Sequence, residues 1–147
     1  MFTSCFFTVL GLARLKKQIA AYWMKNDKIA EAEKPSILVV DDNEGICETM
    51  ADILGEMNYT VHTATDGYKA LDLVKTHEYT MTLMDVRMPG LDGFETLKRV
   101  RQMRPSMKVV MITAYAHDET VEKIRKMGVD AILTKPINFT ELVGYLP

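Results

Sequence analysis

From Ser36 onward the apolar residues change their period again and again, and this alternation limits the chain to a small set of folds. Ile37-Leu38-Val39-Val40 is an unbroken apolar run, the pattern of a strand buried on both faces. It stops at Asp41-Asp42-Asn43, and Ile46, Met50, Ile53, Leu54 and Met57 then recur at helical spacing. Tyr59 to Thr63 alternates as a short strand, Asp66-Gly67 marks a turn, and Tyr68 to Lys75 places Ala70, Leu71 and Val74 on one helical face. Met81 to Met84 reads as a third strand ending at Asp85, and Pro89-Gly90 and Asp92-Gly93 as a loop. Phe94 to Met103 is a helix closed by Pro105, Lys108 to Thr113 a fourth strand, and Glu119 to Met127 a helix with Gly128 just past its end. Ala131 to Leu133 is a short fifth strand and Phe139 to Leu146 a last helix. Five strands alternating with five helices predict right-handed βαβ units, hence a parallel sheet covered on both faces: a three-layer α/β/α domain.

Composition agrees and narrows the function. In 147 residues, 48% are apolar and 26% charged, which suits one globular domain with a tail. The net charge of −2 offers no basic field for nucleic acid, and a DNA-binding output domain would need roughly 60 more residues. Cys5 and Cys47 lack metal-ligand spacing and read as reduced thiols of a cytoplasmic protein, Cys47 as a small core residue on a helix. Residues 1–34 stand apart from the expected domain at 35–147. They are apolar to Leu12, then basic at Arg14, Lys16, Lys17 and Lys25, then a polar linker. Two readings apply: a basic amphipathic helix resting on a membrane or partner through residues 1–24, or a poorly ordered extension or upstream sequence with the true start at Met24. The second is the expectation here.

The chemistry lies where the strands end. Asp41 and Asp42, Asp85, Thr113 and Lys135 each follow an apolar run directly, and in a parallel sheet all these ends emerge at one edge, where ligands bind. Any one of them has an ordinary explanation: Asp42 or Asn43 as a helix cap, Thr113 as a turn residue, Lys135 as a surface charge. Together they make a coherent set. Three gathered carboxylates call for a hard cation, and Mg²⁺ is held by one or two carboxylates, waters and a phosphate oxygen. Lys135 supplies a charge for a phosphoryl oxygen and Thr113 a hydroxyl, so the parts describe phosphoryl transfer. No GxGxxG or GxxxxGKS occurs, and the acidic first loop argues against a Rossmann or P-loop site.

Four segments in register resemble the response-regulator receiver domain: Val39-Val40-Asp41-Asp42, Leu83 to Gly90 around Asp85, Ile112-Thr113-Ala114, and Thr134-Lys135-Pro136. The resemblance implies a flavodoxin-like sheet of order 2-1-3-4-5. It implies Asp85 as the phosphoacceptor, Asp41, Asp42, Asp85 and the Arg87 carbonyl around Mg²⁺ (Mn²⁺ as an alternative), Lys135 on the phosphoryl group with a cis bond to Pro136, and Thr113 as the switch beside an open Ala114. Ile132 stands where the family usually has an aromatic residue that moves with the switch. Arg87 and Tyr115 flank the site and are expected to set water access. Met111 to Tyr115, the basic residue at 87 and the terminal Tyr-Leu-Pro also look like sporulation phosphorelay intermediates, though σ54-activator receivers share much of this.

The implied function is a stand-alone receiver, phosphorylated by a sensor histidine kinase or a histidine phosphotransfer protein, that binds a downstream protein through its switch face as a monomer or a phosphorylation-dependent dimer. Alternatives are a receiver-like binding module that signals without phosphate, and a fragment of a larger regulator or hybrid kinase. A haloacid-dehalogenase-type phosphatase would need Asp-x-Asp after the first strand, and Asp41-Asp42-Asn43 does not supply it.

Overall fold

The computed structural model describes residues 9–25 and 34–147. The chain divides into two units, Met1–Glu33 and Lys34–Pro147. In the first, helix α1 runs over Val9–Lys25, so the basic segment is helical where the extension was expected to lack order. Cys5, the first eight residues of the apolar stretch and most of the polar linker lie outside the described residues. Among the described residues no helix is long and apolar enough to cross a membrane.

In the second unit strands and helices alternate as β1 (Ser36–Val40), α2 (Glu44–Glu56), β2 (Thr60–Ala64), α3 (Gly67–Thr76), β3 (Met81–Asp85), α4 (Gly93–Met103), β4 (Lys108–Thr113), α5 (Glu119–Lys126), β5 (Ala131–Thr134) and α6 (Phe139–Val143). The strands form one parallel sheet of order β2-β1-β3-β4-β5. The apolar runs are continuous because the central strands have no wet face: all five residues of β3 are buried, as are Ile37 to Val40 of β1. The edge strand β2 is only partly covered: Thr60 and Thr63 are exposed, Val61 and His62 half-buried and Ala64 buried. Thr82, fully buried in β3, donates its hydroxyl to the Leu38 carbonyl at 3.0 Å, which removes the cost of a buried polar group.

Each helix that follows a strand starts on an Asx cap. Asn43, Asp66, Asp92, Asp118 and Asn138 all sit in extended backbone and accept a hydrogen bond from the first turn. Asn43, not Asp42, therefore caps α2, which leaves Asp42 free for another role. The last helix is shorter than its apolar pattern suggested. After Val143 the bonds run from Gly144 N–H to Glu141 O and from Tyr145 N–H to Leu142 O, tight turns rather than α-helix.

Just past the Met127 cap of α5, Gly128 has φ +72° and open space where a Cβ would point. Only backbone conformation is at stake there. Gly128→Ala is expected to cost about 1–2 kcal/mol, and Gly128→Asn less, measured as urea midpoints at unchanged m-value. Equal stability of all three proteins would refute the left-handed assignment.

Candidate acidic phosphoryl-transfer site

The sheet register itself assembles the site. Val40 pairs with Met84 across β1 and β3, so Asp41 and Asp85, each one residue further on, emerge side by side where the strand order reverses. Asp85 pairs with Ile112, and Thr113 pairs with Thr134, which sets Thr113 and Lys135 one step along the same edge. Neighbouring strands hold the backbone here: Asp41 N–H donates to Ala64 O at 3.1 Å, Val86 N–H to Ile112 O at 2.9 Å and Lys135 N–H to Thr113 O at 2.8 Å. The side chains thus project from a rigid frame. All five strand-end residues of the sequence reading meet at this edge.

Carboxylate oxygens of Asp41, Asp42 and Asp85 lie within 4.8 Å of one another. Asp41 and Asp85 are buried at 3% and 6% exposure, while Asp42 is exposed. Lys135 donates through Nζ to Asp41 Oδ2 at 3.0 Å and to Asp85 Oδ2 at 3.1 Å. One ammonium is therefore shared by two buried carboxylates, with the third, Asp42, close to both. Burial pushes the Asp85 carboxyl above its usual range, Asp41 adds to this, and Lys135 and the Arg87 N–H pull against it. For Lys135 burial disfavours the cation, but the hydrogen bonds and charges of Asp41 and Asp85 outweigh it and raise the pKa, so the side chain stays charged at neutral pH. The donors are all hard oxygens and carry surplus negative charge, a set that fits Mg²⁺.

The flanking residues are arranged around this centre. Arg87 N–H reaches Asp85 Oδ1 at 3.4 Å, while the Arg87 guanidinium lies over the Tyr115 ring, 5.2 Å from its centroid, and pairs with Asp118. Thr113, 1% exposed, accepts the Tyr115 N–H on its hydroxyl oxygen at 3.0 Å, and its own hydroxyl hydrogen is left for another acceptor. Ala114 and Tyr115 are exposed. Ile132 is half-buried and packs on the core. The Lys135–Pro136 bond is cis.

A cleft of about 330 Å³ opens beside Asp85, lined by Val86, Arg87, Met88, Pro89, Asp92 and Thr120. Two residues of this neighbourhood escaped the sequence reading. Asp118 sits in no motif, and its pairing with Arg87 spans 31 residues. Gly93 was read as a loop marker only, yet its N–H donates to Val86 O at 2.8 Å and ties the acceptor loop to α4. The Asp-Gly pair opening a helix was the available signal.

Comparison with known proteins agrees with this arrangement. The transcriptional regulatory protein ZraR of Klebsiella oxytoca is 36% identical over 110 residues, covering 75% of this chain and 25% of that protein. The sensor histidine kinase RcsC of Salmonella typhi is 36% identical over 117 residues, 79% of this chain and 12% of that one. The chain thus spans a quarter or less of these two relatives. The sporulation initiation phosphotransferase F of Bacillus subtilis is 30% identical over 106 residues, with 72% of this chain and 86% of that protein covered. Among solved structures, the CheY-like response regulator receiver domain protein of Methanospirillum hungatei superposes with a TM-score of 0.73 at 30% identity, over 76% of this chain and 90% of that one. The family profile described as the response regulator receiver domain matches residues 37–146. With a matching profile over most of its length, and the strand order and acidic edge of that family, this chain belongs to the response regulator receiver domains of two-component and phosphorelay systems.

Proposed function

We propose that Asp85 accepts a phosphoryl group from a phosphohistidine on a sensor histidine kinase or a histidine phosphotransfer protein, the partners with which receiver domains interact. The observation that carries this reading is the meeting of Asp41, Asp42 and Asp85 within 4.8 Å of one another, with Lys135 bridging Asp41 and Asp85. A carboxylate oxygen of Asp85 attacks phosphorus; the new O–P bond forms as the P–N bond of phosphohistidine breaks, and its electron pair leaves on the imidazole nitrogen. Lys135, charged and already between Asp41 and Asp85, shifts its hydrogen bonds onto a phosphoryl oxygen. Thr113 donates its free hydroxyl hydrogen to another. Asp41, Asp42, Asp85 and the Arg87 carbonyl would hold Mg²⁺, which supplies neutralising charge for the crowded oxygens.

Once phosphorylated, the domain changes the surface around α5, and a downstream protein reads that surface. Residues 35–147 carry this activity, and residues 1–34 are an extension to it. A free-standing relay protein in the cytoplasm is the reading supported by the likeness to the sporulation phosphotransferase, most of whose length is matched. Ile132, half-buried at the position usually aromatic in the family, gives the threonine–aromatic coupling no aromatic partner here.

Incubation with acetyl phosphate and Mg²⁺, followed by intact mass, is expected to add one phosphoryl group. EDTA should abolish the gain. Mg²⁺ alone should raise the melting temperature, since a ligand that binds only the folded state stabilises it by mass action. No mass gain from either acetyl phosphate or a phosphorylated histidine donor would leave only the phosphate-independent binding module.

A further inference from the structure

The route by which Arg87 is held is not part of the strand-end constellation. Asp118 uses its two carboxylate oxygens for different purposes: Oδ1 caps α5 by accepting Thr120 N–H at 2.9 Å, and Oδ2 accepts from the Arg87 guanidinium. Its side chain is only 15% exposed, against 62% for Arg87, so the carboxylate is the fixed member of the pair and the arginine the tethered one. Arg87 in turn lies over Tyr115, whose N–H is held by Thr113 and whose carbonyl accepts Asp118 N–H at 3.3 Å. The guanidinium, the ring and Asp118 thus form one linked, solvent-facing cluster that joins the loop after β3 to the start of α5.

We propose that Asp118 is a positioning residue for the phosphoryl chemistry at Asp85: by anchoring Arg87 over Tyr115 it holds this flank of the site in one arrangement and slows the entry of the water that hydrolyses the aspartyl phosphate. The proposal rests on Asp85 being the acceptor. In the hydrolysis, a water oxygen attacks phosphorus, the bond between phosphorus and the Asp85 oxygen breaks with its electron pair returning to the carboxylate, the water's hydroxyl stays on phosphorus as inorganic phosphate leaves, and the other proton passes to solvent. Without its anchor the arginine sweeps freely and Tyr115 loses its cover, so water reaches phosphorus more often. The acceptor, Lys135 and the oxygens around the metal keep their places.

Asp118→Asn is the informative change, because asparagine still caps a helix but no longer bears the charge that holds Arg87. Proteins phosphorylated with acetyl phosphate are followed by intact mass as the phosphate is lost. Asp118→Asn is expected to shorten the aspartyl-phosphate lifetime severalfold in the presence of Arg87, and to change it little in an Arg87→Ala background, whereas Asp118→Glu should restore most of the lifetime. Added salt should shorten the wild-type lifetime and leave that of Asp118→Asn unchanged, as expected of an exposed ion pair. In unphosphorylated protein, NMR should show the Arg87 Nη2 protons exchanging faster in Asp118→Asn, with Thr120 N–H still protected. An equal effect of Asp118→Asn with and without Arg87, or no effect on lifetime, would overturn the proposal while leaving the acceptor intact. A wild-type protein that gains no phosphoryl mass would remove the acceptor reading and this inference together.

Discussion

Asp85→Asn is expected to abolish the phosphoryl mass gain and, at the same time, to make the metal-free protein more stable at neutral pH. Both effects come from one crowded carboxylate. Asp85 is 6% exposed and shares Lys135 with Asp41, so its ionised form pays for burial without a counter-charge of its own. Its pKa lies above the ordinary 3.8 for that reason. A folded-state pKa above the unfolded one means that the folded protein binds more protons in the window just above 3.8. Stability therefore falls as pH rises through that window and stays lower above it. Asparagine removes the charge at every pH and leaves Lys135 to Asp41. A rise in melting temperature is expected at pH 7, and it should vanish as the pH drops below 3.8, where Asp85 is protonated anyway. Mg²⁺ should reverse the order, because wild type keeps all three carboxylates for it. Thermal melts of both proteins with and without Mg²⁺ from pH 3 to 8 would settle the matter, and a destabilised variant in EDTA would show that Asp85 is not the strained group.

Some of this was open to a reader of the sequence because the information is local. An unbroken apolar run such as Ile37 to Val40 fits only a strand with two dry faces, and the residue after it must emerge at the sheet edge. Five such residues of complementary chemistry therefore revealed a site before any distance was known. Lys135 meets Asp41 and Asp85 because both facts are set by strand ends. Arg87 and Asp118 are a different case. Neither ends a strand, and whether the guanidinium turns toward the acceptor or toward α5 depends on packing 31 residues away. The final helix misled for another reason: Leu142 and Leu146 keep a helical spacing, yet the backbone closes into tight turns and Tyr59 donates its hydroxyl to the Pro147 carbonyl at 2.7 Å. Apolar spacing reports which residues face inward. It does not report which carbonyls the N–H groups find.

Gly93 shows the same limit with larger consequences, and it carries the second strong prediction. A Cβ built on Gly93 would lie 2.1 Å from the Asp85 carbonyl oxygen and 2.8 Å from the Val86 Cα. Those are backbone atoms of the acceptor residue and of the residue that follows it. A flexible side chain could turn away from a new methyl group, but this backbone is held by Val86 N–H on Ile112 O at 2.9 Å. Gly93 is therefore needed for close approach rather than for an unusual φ, which separates it from Gly128. Gly93→Ala must either push α4 off the sheet or drag Asp85 out of register with Asp41. The first course opens the packing of Leu97 and Val100, both fully buried; the second separates the acceptor from Lys135. The expected loss is about 3 kcal/mol or more, at the upper end for forced overpacking, with phosphorylation by acetyl phosphate slowed at least tenfold in whatever protein stays folded. The contrast with Gly128→Ala is the control, since that change strains one residue far from the site and should leave phosphorylation unchanged. If Gly93→Ala unfolds at the wild-type urea midpoint and is phosphorylated at the wild-type rate, the contact between α4 and the acceptor strand does not hold the site together.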